Sequence, residues 1–566
     1  MESKRRAPDG PRNAANGAHK QRSFKNGRRG SQKWKSAAGK KKKRASMNGE
    51  GKERKDAVAD GGSKRPKLIG SKLHSKAMRL KKERRNLPIF QAREALINAV
   101  KQNDCLVIVG ETGSGKTTQL PQYLLESGFC DDGKAIAVTQ PRRVAAVTVA
   151  QRVAEEAGCP LGSKVGYSVR FDDKSTSMTR IKYLTDGMLL REASMDPLLS
   201  KYSLVILDEA HERTLHTDIL FAILKGIRRE RTRLRTVSPK SKENGRVGRK
   251  KAGLKDLKII AMSATLQAEQ FSEYFGKAPI LYVKGRQYPV DIMYTLEPQS
   301  DYVDASVTTV LQIHLEKAVP GDILVFLSGQ QEIEDCARLL EEKQTQFPPD
   351  AAKLVVASLY AAMPQHMQLR AFEKAPHGCR KVVLATNIAE TSVTIHGIVY
   401  VIDTGVVKVR QNHMQTGIES LIIVPVSKAE AWQRSGRAGR VQPGTCYRLY
   451  TEPVFRELRD TRIPEVLRTS LSSVVLQLKA LKVDDIPSFD FMSKPPKVAI
   501  LRALEELLAL EALNRNGSLT KPLGIQMSIL PLEPKFSKAL LSAERFSCTE
   551  EVLTVVSVLS SDAGGL

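Results

Sequence analysis

"CLVIVGETGSGKTT" runs from Cys105 to Thr118. An apolar run fit for a buried strand leads into a turn with glycines at 110, 113 and 115, and then into a stretch with helical spacing. Strand, Gly-rich turn and helix in direct succession open a βα unit. "GETGSGKT" (Gly110–Thr117) also fits the spacing GxxxxGK[ST]. Glycines at these positions let successive backbone N–H groups close around phosphate oxygens at the positive end of the following helix. On this reading Gly110, Glu111, Thr112, Gly113, Ser114 and Gly115 form a phosphate cradle, Lys116 reaches the terminal phosphates and Thr117 holds Mg2+. A Gly-rich turn alone is only a turn; the complete match in this local context points to a nucleotide.

Outward from this unit the alternation continues. "AIAVTQ" (135–140), "LVILDEA" (204–210) and "KIIAMSAT" (258–265) are short apolar runs ending in polar turns, with helical patterns between them. The βαβα order implies a parallel sheet covered on both faces. A second set follows: "DILVFLSG" (322–329), "KLVVASL" (353–359), "KVVLATN" (381–387) and "IVYVID" (398–403). The expected fold is α/β, with a first lobe over 87–285, a second over 300–455 and a joint near 285–305. Two β-leaning segments around "QNHMQTG" predict a hairpin over 406–425. From about residue 455 the apolar spacing becomes helical, and "GSLTKPLG" suits a small wing.

The stretch "LVILDEAHERTLHTD" (204–218) puts two carboxylates at the end of a strand fit for burial. Parallel sheets bind ligands at their carboxyl edge. Asp208 would hold the Mg2+ that Thr117 also touches, and Glu209 would polarise the attacking water. An ordinary Asp-Glu turn would say nothing about Lys116. In the second lobe "QRSGRAGR" (Gln433–Arg440) supplies Arg437 and Arg440, guanidinium groups suited to the charge of a transferring phosphoryl group. Read alone, it would be a basic surface loop.

The net charge of +29 is unevenly placed. Residues 1–86 carry 29 Lys/Arg against 7 Asp/Glu, and residues 228–258 carry 13 against 3. The rest is close to neutral. So charged a segment, rich in Gly, Ser and Asn, cannot offset its ordering entropy, and 1–86 is expected to be a disordered tail. The stretch 228–258 reads as a basic insertion in the first lobe. Polyanions are the expected partners, since Lys and Arg bind phosphates with release of counterions. "KKKKR" (40–44) and "KRPK" (64–67) read as nuclear-import clusters or, alternatively, as a tail kept solvated by its charge. The seven cysteines are scattered without a CxxC pair, which argues against zinc or a disulfide framework. Neither a signal peptide nor a membrane-length apolar run is read, so a soluble intracellular protein is expected.

The ordered set "GETGSGKTT", "TQPRR", "DEAH", "SAT", "FLSGQ", "ATNIAETSVTI" and "QRSGRAGR" resembles the DEAH-box helicases of superfamily 2 over about residues 88–566. The resemblance implies two RecA-like lobes, hydrolysis of ATP and other NTPs, and 3′-to-5′ movement on single-stranded RNA. It assigns RNA-backbone contacts to Thr139, Gln140, Arg142, Arg143, Thr185 and Asp186 in the first lobe, and to Ser328, Gly329, Thr386 and Asn387 in the second. Ser263, Ala264 and Thr265 would link hydrolysis to lobe movement. His211 would meet Gln433, itself counted with the catalytic set, across the cleft. Arg152 and Phe372 would sandwich the nucleotide base, with Phe372 as core the alternative. The hairpin stands where the family carries a strand-separating wedge.

The sequence also departs from the pattern. His396 in "TIHG" stands where many relatives have Asp near the ribose, and Gln331 where Glu is commoner. Relatives continue through a ratchet domain and an OB-fold, whereas this sequence stops at "LSSDAGGL". The expectation is a winged-helix region over 456–530, a ratchet begun over 531–566, and no OB-fold, which bears on RNA grip and on response to a protein activator. The expected partners are single-stranded or structured RNA, with a monomeric chain and no membrane. The resemblance implies ribosome biogenesis in the nucleolus, with nuclear splicing as the alternative. A reading from a different class is an ATP-switched nucleic-acid-binding scaffold or sensor.

Overall fold

The computed structural model describes residues 78–111, 113–237, 255–264, 268–285, 288–317, 319–348, 351–390, 395–413 and 417–560. Most of the basic tail, the middle of the basic insertion, Thr112 and Thr265 lie outside the described residues. The first sheet has eight strands: β1 (Cys105–Gly110), β2 (Ala135–Gln140), β3 (Val165–Val169), β4 (Asp172–Lys174), β5 (Ile181–Thr185), β6 (Tyr202–Leu207), β7 (Lys258–Ser263) and β8 (Ile280–Val283). Their order is β4-β3-β5-β2-β6-β7-β1-β8, parallel throughout except for β4. All six residues of β1 are buried, as expected of a strand with helices on both faces of its sheet. The neighbours β2, β6, β7 and β1 all present their carboxyl ends on one edge, which brings together turns far apart in the chain.

The second sheet contains β9 (Val290–Tyr294), β10 (Asp322–Phe326), β11 (Lys353–Leu359), β12 (Cys379–Ala385), β13 (Ile398–Asp403) and β16 (Gly444–Arg448). The order β11-β12-β10-β13-β16-β9 is parallel throughout. Between β13 and β16 the strands β14 (Val406–Asn412) and β15 (Glu419–Pro425) form a separate antiparallel hairpin. One boundary differs from expectation. Val290–Tyr294, placed by sequence in the joint between lobes, is the edge strand of the second sheet, so that lobe begins before residue 300.

The C-terminal region is helical: Ser472–Ala480, Lys497–Ala509, Leu523–Ile529, Pro534–Ala543 and Thr549–Ser560. A single antiparallel bridge, Leu513 with Leu519, closes a small turn between the second and third of these. This region does not stand apart. Val474, Leu478, Phe491 and Leu507 share one buried cluster with Phe221, Leu224 and Phe271 of the first lobe. The apolar faces of those helices are thereby removed from water, each large side chain contributing about 1.5–3 kcal/mol. No helix among the described residues is long and apolar enough to cross a membrane.

Candidate active site

The turn after β1 is held by backbone conformation more than by side chains. Gly113 and Gly115 have φ of +88° and +92°, in the region where a Cβ is strained. The helix Lys116–Glu126 begins at Gly115 with no side-chain cap, so its first N–H groups remain available to a ligand. Ser114 is buried, and its Oγ has no hydrogen-bond partner among the described residues. Lys116 is also buried, its Nζ 3.5 Å from the Glu111 carbonyl oxygen. A buried hydroxyl without a partner, beside a buried ammonium held only by one long bond to a carbonyl, fits a polyphosphate better than a closed structural turn.

Asp208 lies at the centre of the carboxyl edge. Its Oδ2 accepts from Thr117 Oγ1 at 2.6 Å and from Gln140 Nε2 at 2.6 Å. Its Oδ1 accepts the backbone N–H of Glu209 at 2.9 Å. Burial first, then the neighbouring Glu209, pushes the Asp208 carboxyl up to about 6, with Lys116 opposing. Glu209 is buried too, and burial likewise raises its pKa; its Oε2 accepts no hydrogen bond among the described residues. Two desolvated carboxylates beside a hydroxyl and an ammonium make a site whose charge a divalent cation would balance. The donor set of Thr117 and Asp208, a hydroxyl and a carboxylate, fits Mg2+.

Glu209 has φ +52° and starts the short turn Ala210–Glu212. That turn places His211 with Nε2 3.6 Å from Glu209 Oε2. His211 Nδ1 accepts the N–H of Ala264 at 3.3 Å, at the end of β7, which puts the ring proton on Nε2. Burial lowers the His211 pKa to about 4, so the ring is neutral near pH 7. Ser263 is fully buried beside this contact.

The second lobe supplies the facing wall. His211, Arg142 and Glu212 of the first lobe line one cleft with Glu390 and Gln433 of the second and with Arg462 just beyond it. Gln433 Nε2 is buried there without a hydrogen-bond partner among the described residues. Arg437 donates to the carbonyl of Glu390. Burial lowers the pKa of Arg437 and brings that of Arg440 down to about 10; Glu209 acts on both in the opposite sense. The two arginines and Glu209 therefore share one electrostatic environment across the lobes.

Sequence reasoning missed the group that holds this wall. Arg434, the first arginine of "QRSGRAGR", is fully buried between Glu390 at 2.6 Å and Asp403 at 2.8 Å. Asp403 also accepts from Tyr450 Oη at 2.9 Å and from the N–H of Gly405 at 3.0 Å. An acid closing an apolar strand, as in "IVYVID", was the available signal for a buried partner.

Three residues expected at the RNA backbone, Gln140, Asp186 and Thr139, have buried side chains. Gln140 is fully buried with its amide committed to Asp208, so its side chain faces the nucleotide site. Asp186 is buried and accepts from Thr217 Oγ1 at 2.5 Å and Thr214 Oγ1 at 3.3 Å; a carboxylate in that setting cannot meet a phosphate. Thr139, next to the last residue of β2, is fully buried as well. Arg142 pairs with Glu212 at 3.3 Å. Arg143 is exposed and donates to the Arg170 carbonyl at 3.3 Å. Thr185 is the residue before helix Asp186–Met195. In the second lobe Ser328 Oγ lies 3.0 Å from Tyr302 Oη, Gly329 precedes helix Gln330–Gln344, and Thr386 and Asn387 are half-buried after β12.

Arg152 and Phe372 are not in ring contact among the described residues. Arg152 Nε donates to Glu156 Oε1 at 2.7 Å, and Phe372 packs against the second-lobe core. Arg152 does act across the lobes: with burial the larger cause, it lowers the pKa of His396.

Comparison with known proteins agrees with this geometry. A family model for the DEAD/DEAH box helicase matches residues 90–273, and one for the helicase conserved C-terminal domain matches 305–442. Models for the winged-helix and ratchet-like helicase associated domains match 503–532 and 533–563. The chain is 53% identical over 512 residues to the pre-mRNA-splicing factor ATP-dependent RNA helicase DEAH10 of Arabidopsis thaliana, with 86% of this chain and 71% of the relative covered. It is 51% identical over 482 residues to the pre-mRNA-splicing factor ATP-dependent RNA helicase prp22 of Schizosaccharomyces pombe, covering 85% of this chain and 39% of that protein. It is 50% identical over 486 residues to the ATP-dependent RNA helicase DHX33 of Mus musculus, covering 86% and 67%. With two parallel α/β lobes facing each other across these residues, the chain belongs to the DEAH-box family of ATP-dependent RNA helicases.

Proposed function

We propose that the chain hydrolyses ATP between its two lobes, that RNA stimulates this hydrolysis, and that the cycle moves it 3′-to-5′ along single-stranded RNA to remodel RNA or RNA–protein complexes. The observation that carries the reading is the cleft in which His211 and Glu212, beside Glu209, face Gln433 and Glu390, to whose carbonyl Arg437 donates. Gly110–Gly115 cradles the phosphates and Lys116 contacts the terminal ones. Thr117 and Asp208 would hold Mg2+, which would supply charge neutralisation at the bound phosphates. Glu209, buried and with an uncommitted oxygen, orients and polarises the attacking water. Arg437 and Arg440 cover the charge of the transferring group. His211 and Gln433, lining one cleft, report lobe closure, and Ser263–Thr265 pass it on. Arg143, Thr185, Gly329, Thr386 and Asn387 meet the RNA backbone, with the basic tail 1–86 adding salt-sensitive affinity.

The site of action is the nucleus, in nucleolar ribosome biogenesis. Two relatives named as splicing factors, 53% and 51% identical, favour pre-mRNA splicing as the second reading. Crosslinking the tagged chain to RNA in cells separates the two: rRNA precursors are expected, and enrichment of intron-containing transcripts favours splicing. ATP turnover with and without single-stranded RNA tests the enzyme itself. Nucleotide binding without turnover would favour the scaffold or sensor.

A further inference from the structure

Two non-glycine residues with left-handed backbone bracket the turn after Asp208: Glu209 at φ +52° and Arg213 at φ +48°. Such conformations persist where the surroundings over-determine them. Arg213 is held from two sides. Its Nε and Nη2 donate to Asp218 at 2.6 and 3.0 Å, and Nη2 also to Ser493 Oγ at 2.7 Å. Its carbonyl accepts the N–H of Glu465 at 3.2 Å.

Glu465 then reaches in two directions. Its Oε2 accepts the N–H of Leu215, the first residue of helix Leu215–Val237, at 2.9 Å. Its Oε1 accepts from Arg468 Nη2 at 3.2 Å. Arg468 Nη1 donates to the carbonyl of Arg410 at 2.6 Å, and the Arg468 carbonyl accepts the N–H of Asn412 at 2.7 Å. Both partners lie on β14. Ser470 N–H donates to Glu419 Oε1 at 2.8 Å, on the β15 residue paired with Asn412. Residues 465–470 therefore hold the turn of the catalytic edge with one end and both hairpin strands, near their tip, with the other.

We infer that Glu465 and Arg468 are positioning residues that couple the turn Glu209–Arg213 to the distal end of the hairpin, so that nucleotide state and hairpin position change together. Charge-assisted bonds make the link stiff, and the Arg468 side chain is only 11% exposed. A turn pinned at both ends moves as a unit when Glu209 moves. Neither Glu465 nor Arg468 belongs to the phosphate cradle, so the link serves the response to RNA and not the hydrolytic step. The inference rests on the RNA-stimulated hydrolysis proposed above.

The test compares Glu465→Gln, Arg468→Met and the double variant with the wild-type chain. Turnover of ATP is measured without RNA and with saturating poly(U), alongside the thermal midpoint of each protein. Expected are RNA-free turnover within about twofold of wild type, little change in midpoint, and a stimulation ratio lowered at least about fivefold. The double variant should be no worse than the worse single one, as for two members of one link. Arg468→Lys, which keeps the cation and loses the second donor, decides the matter if Arg468→Met does not fold. An unchanged stimulation ratio in the single variants overturns the inference. So does a fall in RNA-free turnover equal to the fall with RNA, which would mark a purely structural staple. A wild-type chain that turns over ATP with no response to poly(U) removes instead the reading on which the inference rests.

Discussion

Thr117 Oγ1 donates to Asp208 Oδ2 across 2.6 Å, joining residues 91 apart in the chain. Asp208→Asn keeps the shape of this pair and removes the charge that a divalent cation requires. ATP turnover should then need about 10–100-fold more Mg2+ for half-saturation. A Mg2+ titration at fixed ATP checks this, and an unchanged half-saturation point contradicts the assignment of Asp208.

Lys116→Ala should weaken nucleotide binding as well as turnover, because it removes the buried ammonium nearest the phosphate cradle. Binding of a fluorescent ATP analogue measures it. Wild-type affinity in the variant would place the phosphates elsewhere.

The strand, turn and helix that carry these residues were readable because each lies in a contiguous stretch: "CLVIVG" announces its strand, and the glycines their turn. What escaped was decided by tertiary contact. Gln140 stands at the end of an apolar strand like any exposed polar residue, and only the approach of β6 commits it to Asp208. Val290–Tyr294 alternates half-buried and exposed residues, but its sequence VDIMY puts apolar Met293 on the exposed face, so the alternation and the pairing with β16 have no clear local signature. Helical spacing from residue 455 gave the helices but not the first-lobe face they cover.

Arg434→Ala should destabilise the second lobe by about 3–5 kcal/mol, because Glu390 and Asp403 would be left buried without their cation. Urea unfolding followed by tryptophan fluorescence reads the change. A loss under about 1 kcal/mol would show that the triad is not what holds the wall.

His211 carries a pH signature. Its folded pKa of about 4 lies below the 6.5 of an unperturbed ring, so between these values the unfolded chain binds more protons. This group therefore makes stability rise with pH through that window, by up to about 3 kcal/mol. Asp208, with its folded pKa raised to about 6, acts in the opposite direction from about pH 4 to 6. The difference between wild type and His211→Gln isolates the histidine. Its stability advantage should grow from pH 4.5 to 6.5, and a flat difference would contradict a buried neutral ring.

The central claim, that one hydrolytic site is shared by two lobes, is tested most directly by single-turnover ATP hydrolysis in saturating RNA. Glu209→Gln and Arg440→Ala are compared with wild type, one variant from each lobe, together with their nucleotide affinities. The account predicts a rate lowered about 10²–10⁴-fold in Glu209→Gln and about 10³–10⁵-fold in Arg440→Ala, with ATP still bound in the first. A rate within about twofold of wild type in either variant contradicts it.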